Sequence, residues 1–233
     1  MFLSNIFTNP AEQQYYLEIF VNSLWPLVKG ALLYTIPLTL ITFSIGLVLA
    51  VLTALFRLSG IAVLKGIARF YVSIIRGTPL LVQLFIIFFG LPSVGITIGA
   101  FPAAVIGFSL NMGAYGSEII RAAILSIPKG QWEAGYSIGM SYIQSLRRVI
   151  LPQATRVSIP PLSNSFIGLV KDTSLASTIM VAEMFRKSQE IASQNYEFMA
   201  LYTQAALIYW VICVFLSFVQ GKVERRLDRY VAK

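Results

Sequence analysis

Ionisable and polar side chains are scarce in the apolar parts of this sequence, so each one there calls for an explanation. Lys171 and Asp172 stand side by side within the run from Val157 to Val181, with Ser174 just beyond them. Asn111, Ser117 and Glu118 interrupt a second apolar run, and Arg121 follows Glu118 at the i+3 spacing that lets the two pair. Arg76, Gly77, Thr78 and Pro79 form a third irregularity, a cation and a proline at the head of an apolar stretch. These residue types recognise charge and hydrogen-bonding groups; they do not break bonds by themselves. There is no histidine and a single cysteine, Cys213, so no transition-metal site and no internal disulfide are expected.

The elements that carry these residues lie in lipid. Of 233 residues, 57% are hydrophobic and 12% charged, with a mean hydropathy of +0.74, which is outside the range of a soluble domain. Charge-free runs of spanning length lie between Lys29 and Arg57, between Arg76 and Glu118, and from Phe198 to Gly221. The turn signal Gly90 to Pro102 splits the middle run into two spans, and Val157 to Val181, broken by prolines and by its charges, adds another. Open backbone cannot be satisfied in lipid, and the runs are too long for barrel strands. The expected fold is an all-α bundle of five transmembrane helices. The first run starts too late and is too long for a signal peptide, and is expected to stay in the mature chain.

Thirteen of the eighteen Lys and Arg fall on one side if the spans alternate: Arg57, Lys65 and Arg69, then Arg121 to Arg156, then the tail from Lys222 to Lys233. The opposite side has Arg186 and Lys187 among Glu183, Glu190 and Glu197. By the positive-inside rule the N-terminus lies outside and the C-terminus in the cytoplasm. Ser188 is then expected to be reachable from outside and Ser145 from the cytoplasm. The net charge of +8 is therefore a topology signal and not a mark of nucleic-acid binding. The corresponding organisation is an extracytoplasmic segment 1–24, a transmembrane domain 25–220 with a cytoplasmic loop 128–152, and a basic tail 221–233.

Within that loop, Lys129 to Ile138 can form a short helix ended by Gly139 in the left-handed conformation. Ser141 and Gln144 offer a capping box for a second, in which Ile143, Leu146 and Ile150 share a face and Pro152 limits the extent. Local features leave two readings open, a structured loop packed on lipid headgroups or a docking surface.

The stretch from Glu133 to Pro152 resembles the EAA loop of importer-type ABC transporter permeases: Glu-Ala-Ala, three residues, Gly, nine residues, an aliphatic, any residue, Leu-Pro. Glu133, Ala134, Gly139, Val149, Leu151 and Pro152 are in register, while Gly135 replaces the second alanine and Val149 the usual isoleucine. Arg76 to Phe85 and Pro160 to Ser177 are similar to the polar amino-acid branch of these permeases, and the run from Arg156 to Ser177 is especially similar to bacterial L-cystine permeases. The resemblance implies a plasma-membrane permease subunit whose loop docks in a cleft of a dimeric ATP-binding partner, with Glu133 as the polar anchor. It also implies an extracytoplasmic solute-binding protein and a second permease subunit, a homodimer being expected. The chain itself has no phosphate-binding loop, since Gly221-Lys222 lacks both the preceding glycine and the following hydroxyl; ATP and magnesium belong to the partner, and no cofactor is expected here.

Only 14 residues separate Arg76 from the Gly90 turn, too few to cross, so the second span is expected to begin nearer Phe70, with Gly77, Thr78 and Pro79 inside the membrane. Pro79 should kink or break the helix there, either to line a solute path or merely for packing. Lys171 and Asp172 point about 100° apart on a helix and cannot simply satisfy each other. A buried charge costs at least ~2.5 kcal/mol, so Asp172 either receives a substrate ammonium or pairs with another span. Asn111 and Ser117 are cavity-lining candidates that can equally serve interhelical bonding. A channel or a membrane enzyme are the competing classes; the first does not need the docking loop and the second lacks convergent nucleophiles.

Overall fold

The computed structural model describes residues 10–228, and every regular element among them is helical. Residues 1–9 of the N-terminal segment, and 229–233 of the tail with Arg229 and Lys233, lie outside the described residues. Helix α1, Pro10–Gly30, continues through a π turn, Ala31–Thr35, into α2, Ile36–Leu58. Pro37 lacks an N–H, and Ile36 reaches back five residues to the carbonyl of Ala31, which widens the turn without breaking the helix. The 49-residue run Pro10–Leu58 is about 70 Å long, more than twice the thickness of a hydrocarbon core.

Of the two outcomes expected at Pro79, a kink or a break, the structure shows the break. Helix α3, Ala62–Gly77, ends at Thr78 and Pro79, both extended, and α4, Leu80–Phe85, then runs on through a π turn and a 3-10 turn to Val94. The arms Ala62–Gly77 and Leu80–Val94 meet at 102°. The proline ring excludes helical geometry at Thr78, and two successive extended residues turn the chain through a corner where one alone would kink it.

Helix α5, Ala100–Ser126, packs along α2 through small residues. A methyl at Gly46 would lie 2.6 Å from Cβ of Met112, and one at Gly113 would lie 2.8 Å from Cβ of Leu49. Side chains larger than hydrogen would push the two backbones apart. The hairpin follows as α6, Lys129–Ser137, and α7, Tyr142–Ser145. A π turn, Leu146–Ile150, leads into α8, Leu151–Asp172, then a 3-10 segment, Thr173–Ile179, and the helices α9, Met184–Asn195, and α10, Phe198–Asp228.

Pro152 does not end the helix as the sequence suggests. It occupies the first turn of α8, where the missing N–H is absorbed by the π turn as Leu151 donates back to the carbonyl of Leu146. Pro160 and Pro161 also lie within α8 without stopping it; the bend falls later, 49° between Tyr142–Ile179 and Met184–Asn195. Among the described residues two helices are long and apolar enough to cross a membrane, Pro10–Leu58 and Phe198–Arg226, or up to four if each bent pair counts as one span. Helix α5 is not among them because Asn111, Ser117, Glu118 and Arg121 dilute its apolarity, yet Ala104, Phe108 and Ala114 are fully enclosed. The main core joins Phe108 to Leu38, Leu84, Leu169 and Ile179, and a second core, Ile124, Ile150 and Ala154, fastens the hairpin under α5.

Candidate functional site

A cleft of about 370 Å³ opens where the α3–α4 corner faces α5 and α8. Its polar lining comes from three elements: Thr78 on the corner, Asn111 and Tyr115 on α5, and Ser165 and Asp172 on α8, over an apolar floor of Leu169 and Leu175. Four of the sequence candidates, Thr78, Pro79, Asn111 and Asp172, are thus brought together from segments far apart in the chain. Asp172 makes no hydrogen bond and no ion pair among the described residues, leaving its carboxylate available to a cation in the cleft.

The corner is held by a residue that sequence reasoning passed over. Gln83, 8% exposed, donates from Nε2 towards the carbonyls of Ile75 (2.8 Å) and Thr78 (3.1 Å) and towards Oγ1 of Thr78 (2.9 Å), while Thr78 donates to the carbonyl of Ile74 (2.9 Å). Backbone acceptors freed by Pro79 are thereby satisfied within the protein. The available signal was an amide side chain four residues after a proline in an apolar run.

The remaining candidates lie elsewhere. Lys171 is exposed and does not line the cleft, as its offset from Asp172 on the helix requires. Ser174 donates to the carbonyl of Lys171 (2.8 Å) and lines a separate, smaller pocket with Tyr202 and Tyr209. Ser117 is fully buried and donates to the carbonyl of Ala114 in its own helix (2.7 Å). Gly77 closes α3 with open space beside it. Glu118 does pair with Arg121 (2.9 Å), and it also pairs with Arg57 and, at 3.5 Å, with Arg76. The guanidinium of Arg76 lies 5.1 Å above the ring of Tyr115, a lining residue of the cleft.

The loop forms a compact hairpin. Gly139 is left-handed (φ 80°), the N–H of Met140 reaches the carbonyl of Gly135 (3.0 Å), and Ser141 and Gln144 cap each other. Trp132 stacks on Tyr142 with ring centres 5.3 Å apart. Glu133 and Ala134 are exposed, whereas Gly135 is buried against Ser145. Leu151 and Pro152 form the first turn of α8 above the second core. Ile143 does not share the buried face with Leu146 and Ile150: it is 72% exposed, like Ile138, because the π turn shifts the register by one residue between α7 and Ile150. The hairpin therefore carries an exposed carboxylate beside exposed aliphatic side chains.

Residues 46–229 match the family described as binding-protein-dependent transport system inner membrane component. The chain belongs to this family. It is a membrane permease component of a transport system. It is 58% identical over 234 residues to the L-cystine transport system permease protein TcyB of Bacillus subtilis, with all of both chains covered. It is 39% identical over 212 residues to the glutamine transport system permease protein GlnP of Escherichia coli K12, covering 88% of this chain and 96% of that one. Among solved structures, a chain of an amino acid ABC transporter crystallised with histidines superposes with a TM-score of 0.80 at 35% identity, covering 94% of this chain and 99% of the other.

Proposed function

We propose that this chain is the permease subunit of an ATP-driven importer for L-cystine. The observation that carries the reading is the full-length identity to an L-cystine permease combined with a cleft in which Asp172, without an ion pair among the described residues, stands beside Thr78 and Asn111. An amino acid presents an ammonium, which Asp172 can receive in a half-enclosed, partly apolar site where a charged hydrogen bond is worth more than in water. The carboxylate and the remaining polar atoms of the solute have Thr78, Asn111 and Ser165 as hydrogen-bonding partners.

In this reading the chain crosses a bacterial plasma membrane five times, with the N-terminus outside and the C-terminus in the cytoplasm; the bent pairs and α5 each count as one span. A second copy completes the path, an extracytoplasmic binding protein delivers the solute, and a dimeric ATP-binding subunit holds ATP and magnesium. The chain itself has no catalytic residues. Glu133 anchors the ATP-binding partner, Ala134 and Gly135 allow close approach, Gly139 turns the hairpin, and Leu151 and Pro152 join it to α8. The exposed pair Ile138 and Ile143 supplies apolar contact for the same surface.

The identity to a glutamine permease favours another polar amino acid as the second reading. The test is reconstitution of the chain with its binding protein and ATP-binding subunit in proteoliposomes. ATP-dependent L-cystine uptake that outcompetes glutamine and arginine supports the proposal, and strong uptake of either competitor without cystine uptake overturns the cystine assignment.

A further inference from the structure

The cluster around Glu118 contains more cations than that residue can neutralise. Its carboxylate is shared by Arg57, Arg121 and Arg76, so three guanidinium groups meet one acid, and Arg69 adds a further positive charge near Arg57. The three pairs are not equivalent. Arg121 reaches Oε2 with two nitrogens, Nη2 at 2.9 Å and Nε at 3.1 Å, and Arg57 holds Oε1; Arg76 stands 3.5 Å from Oε1, beyond a good charged hydrogen bond. Both oxygens are therefore committed before Arg76 is counted.

Arg76 is also the most accessible of the three, its side chain 42% exposed against 17% for Arg57 and 31% for Arg121. It rests on the face of Tyr115, which lines the cleft, and it lies two residues from Thr78, which lines it as well. A guanidinium presents five donors in a planar fork suited to a carboxylate, and this one spends few of them within the chain.

Resting on the reading of the cleft as the solute path, we infer that Arg76 is the specificity residue for the solute's carboxylate, exchanging its loose contact with Glu118 for that group while Asp172 receives the ammonium. Tyr115 guides the guanidinium, since a cation can slide over the ring face without losing the attraction. Glu118 stays paired with Arg57 and Arg121 throughout, so the exchange does not leave this half-buried carboxylate bare. The cleft then reads both ends of a zwitterion, and a cation that lacks a carboxylate satisfies only Asp172.

The test uses the complete transporter in detergent, without its binding protein, and measures direct binding of L-cystine and of cystamine, the same disulfide diamine without carboxylates. The wild type should prefer L-cystine. Arg76→Gln should weaken L-cystine by about ten- to a hundredfold while leaving cystamine nearly unchanged, and Arg76→Lys should retain part of the preference. A purely structural Arg76 would weaken both ligands together or lower the yield of assembled complex for both variants. An undiminished preference for L-cystine in Arg76→Gln overturns the assignment while the cleft reading stands. No saturable binding of either ligand to the wild type overturns both.

Discussion

A methyl group built on Gly135 would lie 2.7 Å from Oγ of Ser145 and 3.3 Å from its Cβ, so the two halves of the hairpin touch at a point where only glycine fits. Ser145 is fully buried, and its hydroxyl has no hydrogen-bond partner. This explains why the third position of the loop motif departs from alanine here: the small residue is matched to a serine ten positions on. Gly135→Ala should destabilise the hairpin by about 1–3 kcal/mol through overpacking. Ser145→Ala should be close to neutral alone and should partly rescue Gly135→Ala, because it removes the nearer clash and the orphan hydroxyl. Protease sensitivity of the hairpin in the purified complex would measure this; no rescue in the double variant would refute the contact.

Glu133 is exposed and its carboxylate has no partner among the described residues, so changing it should leave the fold intact. Glu133→Lys is expected to detach the ATP-binding subunit or to uncouple hydrolysis from uptake, with normal insertion in the membrane. Pull-down of that subunit together with uptake checks this, and wild-type transport would remove the docking role.

Topology can be read by cysteine labelling, with the sites chosen from the structure. Ser188 and Ser145, the positions suggested by the charge distribution, are both fully buried and unsuitable. Ser193 on α9 and Ser137 on α6 are exposed. In a Cys213→Ser background, Ser193→Cys should react with a membrane-impermeant reagent applied outside, and Ser137→Cys only after permeabilisation. The opposite pattern would reverse the orientation.

Asp172→Asn keeps the shape of the side chain and removes its charge. If the carboxylate receives an ammonium, apparent affinity for the solute should fall about ten- to a hundredfold with an unchanged yield of complex. Since Asp172 has no ion pair to lose among the described residues, a drop in yield with wild-type affinity would show a structural role instead.

Gln83→Met preserves the volume at the corner but strands the carbonyls of Ile75 and Thr78, and each stranded group is expected to cost about 1–3 kcal/mol. Thermal stability of the purified complex should fall. No change in stability would mean that water or lipid headgroups already reach those carbonyls.

Where short-range forces decide, the sequence alone determined the outcome. The apolar runs dictate a helical membrane protein because lipid admits no unpaired backbone. The left-handed Gly139 and the Ser141–Gln144 box arise from contacts within a few residues, so the hairpin was readable before any tertiary contact was known. The opening of Lys171 and Asp172 to different sides follows from helical geometry alone. Only the tertiary structure decided which apolar helices meet, because any lipid-compatible face can pack on any other and the choice rests on small residues such as Gly46 and Gly113 and on the shape they leave. It also placed Thr78, Asn111 and Asp172 around one cleft, gathered three arginines on Glu118, and turned the Thr78–Pro79 break into a corner. A proline announces that a backbone donor is missing, but what becomes of the freed carbonyls depends on whether a side chain such as Gln83 lies close enough to take them.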